Sequence, residues 1–191
     1  TSGPVVGGAP LGWTIAGTGD FDGDGKSDIL WRGPTNEVAV WFMNGGTVVN
    51  VPQVGSIDTT WTISGTGDFN RDGKADILWR HTSGAVALWM MNGATVTSGS
   101  FVAMAPTNWT IKGTGDFDGD GRVDLLLTGV GGNRLLRNLG PDAQGQPHLG
   151  PSSRVVPEGI APILEGQDPL DTERLWGQMF ELTLRKNWSG Y

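Results

Sequence analysis

The residues best suited to chemistry in this chain are aspartates, and they come in sets. Asp20, Asp22, Asp24 and Asp28 enclose one short loop, Asp68, Asn70, Asp72 and Asp76 a second, and Asp116, Asp118, Asp120 and Asp124 a third. Each set puts oxygen side chains at loop positions 1, 3, 5 and 9, with glycine (Gly25, Gly73, Gly121) at position 6. Alternate residues of a tight turn point inward. The glycine permits the bend that carries the backbone carbonyl of position 7 (Lys26, Lys74, Arg122) toward the same centre. Such a donor set, without nitrogen or sulfur, suits a hard divalent cation. Calcium takes about 6 to 8 oxygen ligands at about 2.3–2.6 Å, whereas magnesium demands a stricter octahedron and keeps its waters. About three calcium ions are therefore expected as cofactors.

The plain alternative is an acidic Asx-type turn without metal. Turns alone do not require four oxygens, and three copies share the spacing. Carboxylates crowded about 4 Å apart repel by roughly 4 kcal/mol per pair at an effective dielectric near 20. An empty loop would open or take up protons. The loops hold more than half of the chain's 20 Asp and Glu, so three divalent ions would move the formal charge from −7 to about −1. The low pI is thus largely a metal-site signature. A helix-flanked calcium loop carries a bidentate Glu at position 12. Here that position is Trp31, Trp79 and Leu127, reached through apolar runs such as Ile29-Leu30. The last ligand leads into a strand.

The elements that position these loops repeat with them. Trp-Thr-Ile begins each copy at Trp13, Trp61 and Trp109, a spacing of 48 residues, and a constant period of this size points to a repeat architecture. In the first unit, strand candidates cover residues 13–16, 29–32, 38–43 and 47–54, separated by the metal loop, by 33–36 and by 44–46. The second unit repeats them at 61–64, 77–80, 86–91 and 95–102. The third strand is apolar on both faces. Val38, Val40 and Phe42 oppose Ala39, Trp41 and Met43, and Val86, Leu88 and Met90 oppose Ala87, Trp89 and Met91. A strand buried on both sides belongs in a sheet sandwiched between others. Four-stranded sheets packed face to face and repeated radially make a β-propeller.

The run Gly-Asp-Phe-Asp-Gly-Asp-Gly-Lys-Ser-Asp-Ile-Leu (residues 19–30) resembles the FG-GAP/VCBS repeat, the calcium-loop blade of integrin α-type propellers. The resemblance covers about residues 13–140. It implies an all-β propeller of four-stranded blades in which the calcium loop joins the first two strands, in secreted or cell-surface proteins. It also implies that the Asp/Asn residues at positions 1, 3, 5 and 9 and the carbonyl at 7 are the metal ligands, with Asn70 the one departure from all-Asp sets.

Three metal loops are fewer than a propeller's usual 4 to 8 blades. The units expected are residues 13–60, 61–108 and 109–156, the last divergent in its second half, where 131–138 replace the Trp-containing strand. Residues 1–12 read as the last strand of a preceding or closing blade. Residues 141–169 are proline-rich and read as a long loop or linker. Residues 157–191 read as a divergent tail, either a partial blade or an interface segment, with an alternating strand around Phe180, Leu182 and Leu184 beyond the proline-rich stretch. Two readings follow: a degenerate fourth blade closed by the two ends, or a piece of a longer propeller or one completed by another chain, including a homo-oligomer.

Composition is that of a turn-rich secreted module, with 32 Gly in 191 residues and no Cys. No signal peptide and no apolar run of about 18 residues is present, so the chain reads as a mature or excised segment without a membrane span. The 13 Lys and Arg form no basic stripe, which argues against nucleic acid. The expected function is adhesion or recognition of a glycan or protein at a surface, with calcium structural. Seven of the nine Trp fall at repeated positions and are expected in blade packing rather than on sugars. The rival readings are part of a secreted polysaccharide-degrading enzyme and a structural assembly subunit. Catalysis is not expected. His81 and His148, the only histidines, fall in expected loops without a fixed partner, and the acids outside the metal loops lie mainly in the tail.

Overall fold

A computed structural model describes residues 6–143 and 145–151. Among them every regular element is a strand. β1 (Thr14–Gly19), β2 (Asp28–Arg32), β3 (Glu37–Asn44), β4 (Thr47–Asn50) and β5 (Gln53–Ser56) form the first sheet. β6 (Trp61–Gly67), β7 (Asp76–His81), β8 (Ala85–Asn92) and β9 (Thr95–Met104) form the second. β10 (Trp109–Gly115), β11 (Asp124–Gly129), β12 (Gly132–Pro141) and β13 (Pro147–Pro151) form the third. Each is an antiparallel meander with four strand positions in chain order. The expectations for residues 1–5 and for the tail from 157 lie outside the described residues.

Local chemistry accounts for where these strands depart from the expected ones. The first strand of each sheet runs three residues further than its apolar stretch, through Gly-Thr-Gly, and passes a bulge on the way. The register shifts between Ile15 and Gly17, Ile63 and Gly65, and Ile111 and Gly113. In the first sheet the outer position is split into β4 and β5, both paired with β3. Pro52 lies in the gap, and proline has no N–H to give a ladder; the equivalent stretch of β9 contains no proline and is unbroken.

The third unit is more complete than its sequence suggests. Residues 131–138 contribute to a ten-residue strand, and the expected linker begins with β13, which contains His148. Pairing explains the lost resemblance. Ile77 opposes Trp89 in the second sheet, but Leu125 opposes Leu136 in the third. The β11–β12 turn is one residue shorter, so the spacing of 48 becomes 47 beyond it.

The sheets pack face to face, and side-chain alternation assigns the faces. Leu30, Val38, Val40 and Phe42 of the first sheet meet Ile77, Trp79, Ala87, Trp89 and Met91 of the second. The second sheet's other face, with Leu78, Val86, Leu88 and Met90, meets Trp109, Leu125, Leu127 and Leu136 of the third. Trp31, Trp79 and Trp109 are buried, while Trp41, Trp61 and Trp89 are half-buried.

Innermost strands of successive sheets touch at equivalent residues. The Thr66 hydroxyl donates to the Thr18 carbonyl at 2.6 Å, and the Thr114 hydroxyl donates to the Thr66 carbonyl at 3.0 Å. Each contact is 48 residues long. Glycine makes the approach feasible: a Cβ on Gly17 would stand 3.0 Å from Thr66 Cγ2, and one on Gly65 2.9 Å from Thr114 Cγ2. A Cβ on Gly113, the third member, meets nothing within 4 Å among the described residues.

Arginine at the end of the second strand secures each passage to the next sheet. Arg32 donates to the carbonyls of Asn36 and Ile57, at 2.7 and 2.6 Å. Arg80 donates to those of Gly84, Ala105 (2.6 Å) and Pro106 (2.9 Å). Thr128 holds the matching place in the third unit.

These contacts set unequal tolerances for equivalent glycines. Gly65→Ala should cost about 1–3 kcal/mol of stability through overpacking, read as a lowered urea midpoint, whereas Gly113→Ala should leave the midpoint nearly unchanged. Equal losses would mean that another sheet packs on the third as the third packs on the second.

Candidate functional site

Each metal loop is built by its first aspartate folding the backbone around itself. In the first loop Asp20 Oδ1 accepts the N–H groups of Gly23 (2.7 Å) and Asp24 (3.1 Å), and Oδ2 accepts that of Gly25 (2.8 Å). Asp68 receives Arg71, Asp72 and Gly73 in the same way, and Asp116 receives Gly119, Asp120 and Gly121. Position 5 holds position 7: the N–H groups of Lys26, Lys74 and Arg122 donate to Asp24, Asp72 and Asp120, each at 2.9 Å. Left-handed backbone is required at Gly25, Gly73 and Gly121, with φ of 83, 84 and 81°. In the second loop Arg71 adopts φ 66° where the other loops have Gly23 and Gly119.

The last aspartate of each loop has a different task. Asp28, Asp76 and Asp124 are buried. One oxygen accepts the N–H of the loop phenylalanine (Phe21, Phe69, Phe117) at 2.9–3.0 Å. The other accepts an N–H of the third strand (Met43, Met91, Asn138) at 2.8–2.9 Å. One carboxylate thus pins the loop's entry to a strand 14 or 15 residues further on.

The expected ligands converge unequally. Carboxylate oxygens of Asp20, Asp22 and Asp28 lie within 4.8 Å of one another, as do those of Asp116, Asp118 and Asp120. In the first loop Asp24 is drawn aside by Lys26 Nζ at 2.5 Å. In the second, Asn70 supplies a single oxygen, and its amide nitrogen donates to Asp72 at 3.1 Å. The third loop is the most guarded. Arg122 contacts Asp120 at 3.0 Å, and Arg137 from β12 pairs with Asp118 and reaches Asp120 at 3.8 Å. These all-oxygen clusters fit a hard cation. Of the sequence-predicted residues, those brought together are Asp20, Asp22 and Asp28 in the first loop and Asp116, Asp118 and Asp120 in the third.

The loops also join sheets. Phe21 and Phe69 are 0% and 2% exposed, each in the core between its own sheet and the next, whereas Phe117 is 49% exposed. The Ala75 N–H donates to the Asp20 carbonyl at 2.6 Å, and the Gly93 N–H to that of Phe21 at 2.9 Å. At the second junction the buried Asn138 amide donates to the Phe69 carbonyl at 2.9 Å. Sequence reasoning missed Asn138, Arg137 and the arginine pair Arg32 and Arg80. Only the pair left a visible signal, because it recurs at the repeat spacing.

The sequence profile of the FG-GAP-like repeat matches residues 20–79, from the first ligand of the first loop to the end of the buried run after the second. Over that segment the chain is similar to the FG-GAP-like repeat. No curated protein matches the chain. Among solved structures, a lectin from Agrocybe aegerita, described by its specific recognition of non-reducing terminal N-acetylglucosamine, superposes with a TM-score of 0.60 at 21% identity. The alignment covers 76% of this chain and 39% of that one, so the chain spans about two fifths of the lectin's length. At this identity the likeness is one of fold. It agrees with stacked four-stranded sheets carrying FG-GAP-like loops.

Burial pushes the Asp76 carboxyl up to about 7, against the opposing pull of the Met91 and Phe69 N–H groups. Burial raises Asp28 and Asp124 in the same direction. A carboxyl whose folded value exceeds its unfolded value, about 4, binds its proton more tightly when folded. The folded state therefore loses stability as pH rises from about 4 to about 7. Urea midpoints measured in EDTA should fall across that window, and calcium, by partnering the anion, should suppress the fall; a flat profile in EDTA would contradict it. Arg137→Met should tighten calcium binding at the third loop several-fold in calorimetric titration, since it removes a competing cation; unchanged affinity would show that the guanidinium does not compete.

Proposed function

We propose that the chain is a segment of a β-propeller that recognises glycans outside the cell, with calcium bracing the loops and no catalytic step of its own. The observation that carries the reading is the repeated inner-strand contact, Thr66 to Thr18 and Thr114 to Thr66. Sheets that meet along their first strands by the same bond each time turn by a constant step, as blades about an axis do. The FG-GAP-like repeat and the fold likeness to a glycan-recognising lectin support the same conclusion.

Calcium would be held by the carboxylates of Asp20, Asp22 and Asp28, of Asp68, Asp72 and Asp76 with Asn70 Oδ1, and of Asp116, Asp118 and Asp120. Asp24 and Asp124, and the carbonyls of Lys26, Lys74 and Arg122, stand beside them. When bound it supplies fixed positive charge among crowded carboxylates. The chain's own residues do the rest: the first aspartates wind the loops, and the last ones tie them to the sheets. Modest loop affinities of this kind match millimolar extracellular calcium.

Among the described residues, a catalytic reading has one serine–histidine pair to rest on. The Ser83 hydroxyl lies 2.7 Å from His81 Nδ1, but the Ser83 N–H donates to the same nitrogen at 3.1 Å. That geometry favours closing the exposed β7–β8 turn over activating a nucleophile.

With calcium, the chain should bind members of an array of immobilised glycans and should release them in EDTA. Calcium at about a hundredfold its Kd should raise the melting temperature by about 5–10 °C over EDTA. Coincident melts would remove calcium from the proposal, and an array without any bound glycan would remove recognition of sugars.

A further inference from the structure

One rim of the second sheet departs from the repeat in a way the fold does not require. In the first and third units, the tryptophan that opens the sheet lies over a glycine at the end of the second strand. A Cβ on Gly33 would stand 3.1 Å from the Trp13 ring, and one on Gly129 2.5 Å from the Trp109 ring. In the second unit that glycine is His81, paired directly opposite Trp61. The Trp61 ring instead faces the imidazole, with centroids 4.8 Å apart and ring planes tilted by 51°. Phe101 on β9 completes the group, 5.9 Å from Trp61. Its counterpart by pairing is Gln53, since Ala39 opposes Gln53 as Ala87 opposes Phe101. Phe101 is 74% exposed.

Three aromatic rings thus share the end of the sheet away from its metal loop, and polar groups border them. Both the Ser83 N–H and its hydroxyl meet His81 Nδ1, so the ring proton is assigned to Nε2, which is left to donate outward. Asp58 is exposed and is fixed by the Thr60 N–H at 2.8 Å and by the Thr60 hydroxyl. Asp58 lies in the turn that opens β6, where the Trp61 N–H donates to the Asp58 carbonyl at 3.2 Å, and its carboxyl is held below the usual range by Thr60 first.

We propose that Trp61, His81 and Phe101 form a binding platform for a neutral pyranose, whose hydroxyls are met by His81 Nε2, the Ser83 hydroxyl and the Asp58 carboxylate. This rests on the glycan-recognition reading above and assigns its site. A pyranose has an apolar C–H face that lies on rings and a polar edge that needs directed donors and acceptors. The carboxylate repels uronic and sialic acids, which fixes the class as neutral. Burial on one side keeps Trp61 rigid, so little side-chain entropy is lost on binding.

The test uses His81→Gly and Phe101→Gln, singly and together, each installing the residue that the first unit carries at that place. The full chain with calcium is titrated with methyl glycosides of glucose, galactose, mannose, N-acetylglucosamine and glucuronic acid, followed by saturation-transfer NMR. The wild type should bind at least one neutral glycoside and prefer glucoside to glucuronide. The double variant should bind at least about tenfold more weakly with an unchanged melting temperature. Phe101 is exposed enough that the single F101Q variant reports binding even if H81G perturbs the sheet. Binding retained in both F101Q and the double variant overturns the platform while leaving glycan recognition intact, as does a preference for the glucuronide. A wild type that binds no glycoside and no arrayed glycan overturns both.

Discussion

The structure depends on a buried carboxylate at the end of each metal loop. Asp28, Asp76 and Asp124 each accept one N–H from the loop's phenylalanine and one from the third strand, so a single side chain fixes where the loop ends and how two strands lie against it. Such a group is expensive: burying an anion without a compensating charge costs more than two N–H donors return, and its raised proton affinity expresses that deficit. The neighbouring aspartates bring further negative charge. A cation among them would relieve the deficit, and on the proposed reading it would tie the stability of the loop to that of the sheet. That reading accounts for oxygens crowded into a turn that, for chain reversal alone, would need none of them.

The same carboxylate propagates order outward. By holding Phe21 and Phe69 in place it sets the residue that plugs the core between one sheet and the next, while the loop backbone takes hydrogen bonds from the following sheet. Gly17 and Gly65 then let the inner strands close to the distance at which a threonine hydroxyl reaches its counterpart's carbonyl. Each sheet presents to its successor the face that it received from its predecessor, and that is the condition for a repeat to stack. Phe117 and Gly113 occupy the same positions in the third sheet, and among the described residues Phe117 is 49% exposed and a Cβ on Gly113 would meet nothing within 4 Å. Arg137 occupies the place of Met90 there, and reaches into the metal loop instead of covering a neighbouring core.

The sequence was informative where physics is local. Loop spacing, strand alternation and the two-sided third strand all follow from side-chain type at short range, and the alternation separates Val86, Leu88 and Met90 from Ala87, Trp89 and Met91 as the two interlayer cores do. It was less informative where tertiary contacts override local preference. Gly-Thr-Gly reads as a turn, yet it is strand because only glycine admits the next sheet so closely. Residues 147–151 read as linker because prolines bound them, yet an antiparallel neighbour with open donors and acceptors recruits them as β13. The break at Pro52 is implicit in the loss of an N–H, but the one-residue shortening before β12 hides the likeness of 131–138 to the second unit, which holds only at an offset of 47. Asn138 could not have been found at all, since its partner Phe69 is remote in sequence and its role exists only between sheets.

Regularity and recognition make opposite demands on such a chain. Positions that carry the stack have no latitude: an extra methyl at Gly65 or an uncharged group at Asp76 would be felt by two sheets at once. At the rim beyond the loops Phe101 is 74% exposed, and there the units differ. Gly33, His81 and Gly129 are equivalent in backbone, yet only His81 meets its tryptophan with a ring, and only there does an exposed phenylalanine, Phe101, stand beside the pair. The proposed sugar platform would account for that departure from the repeat.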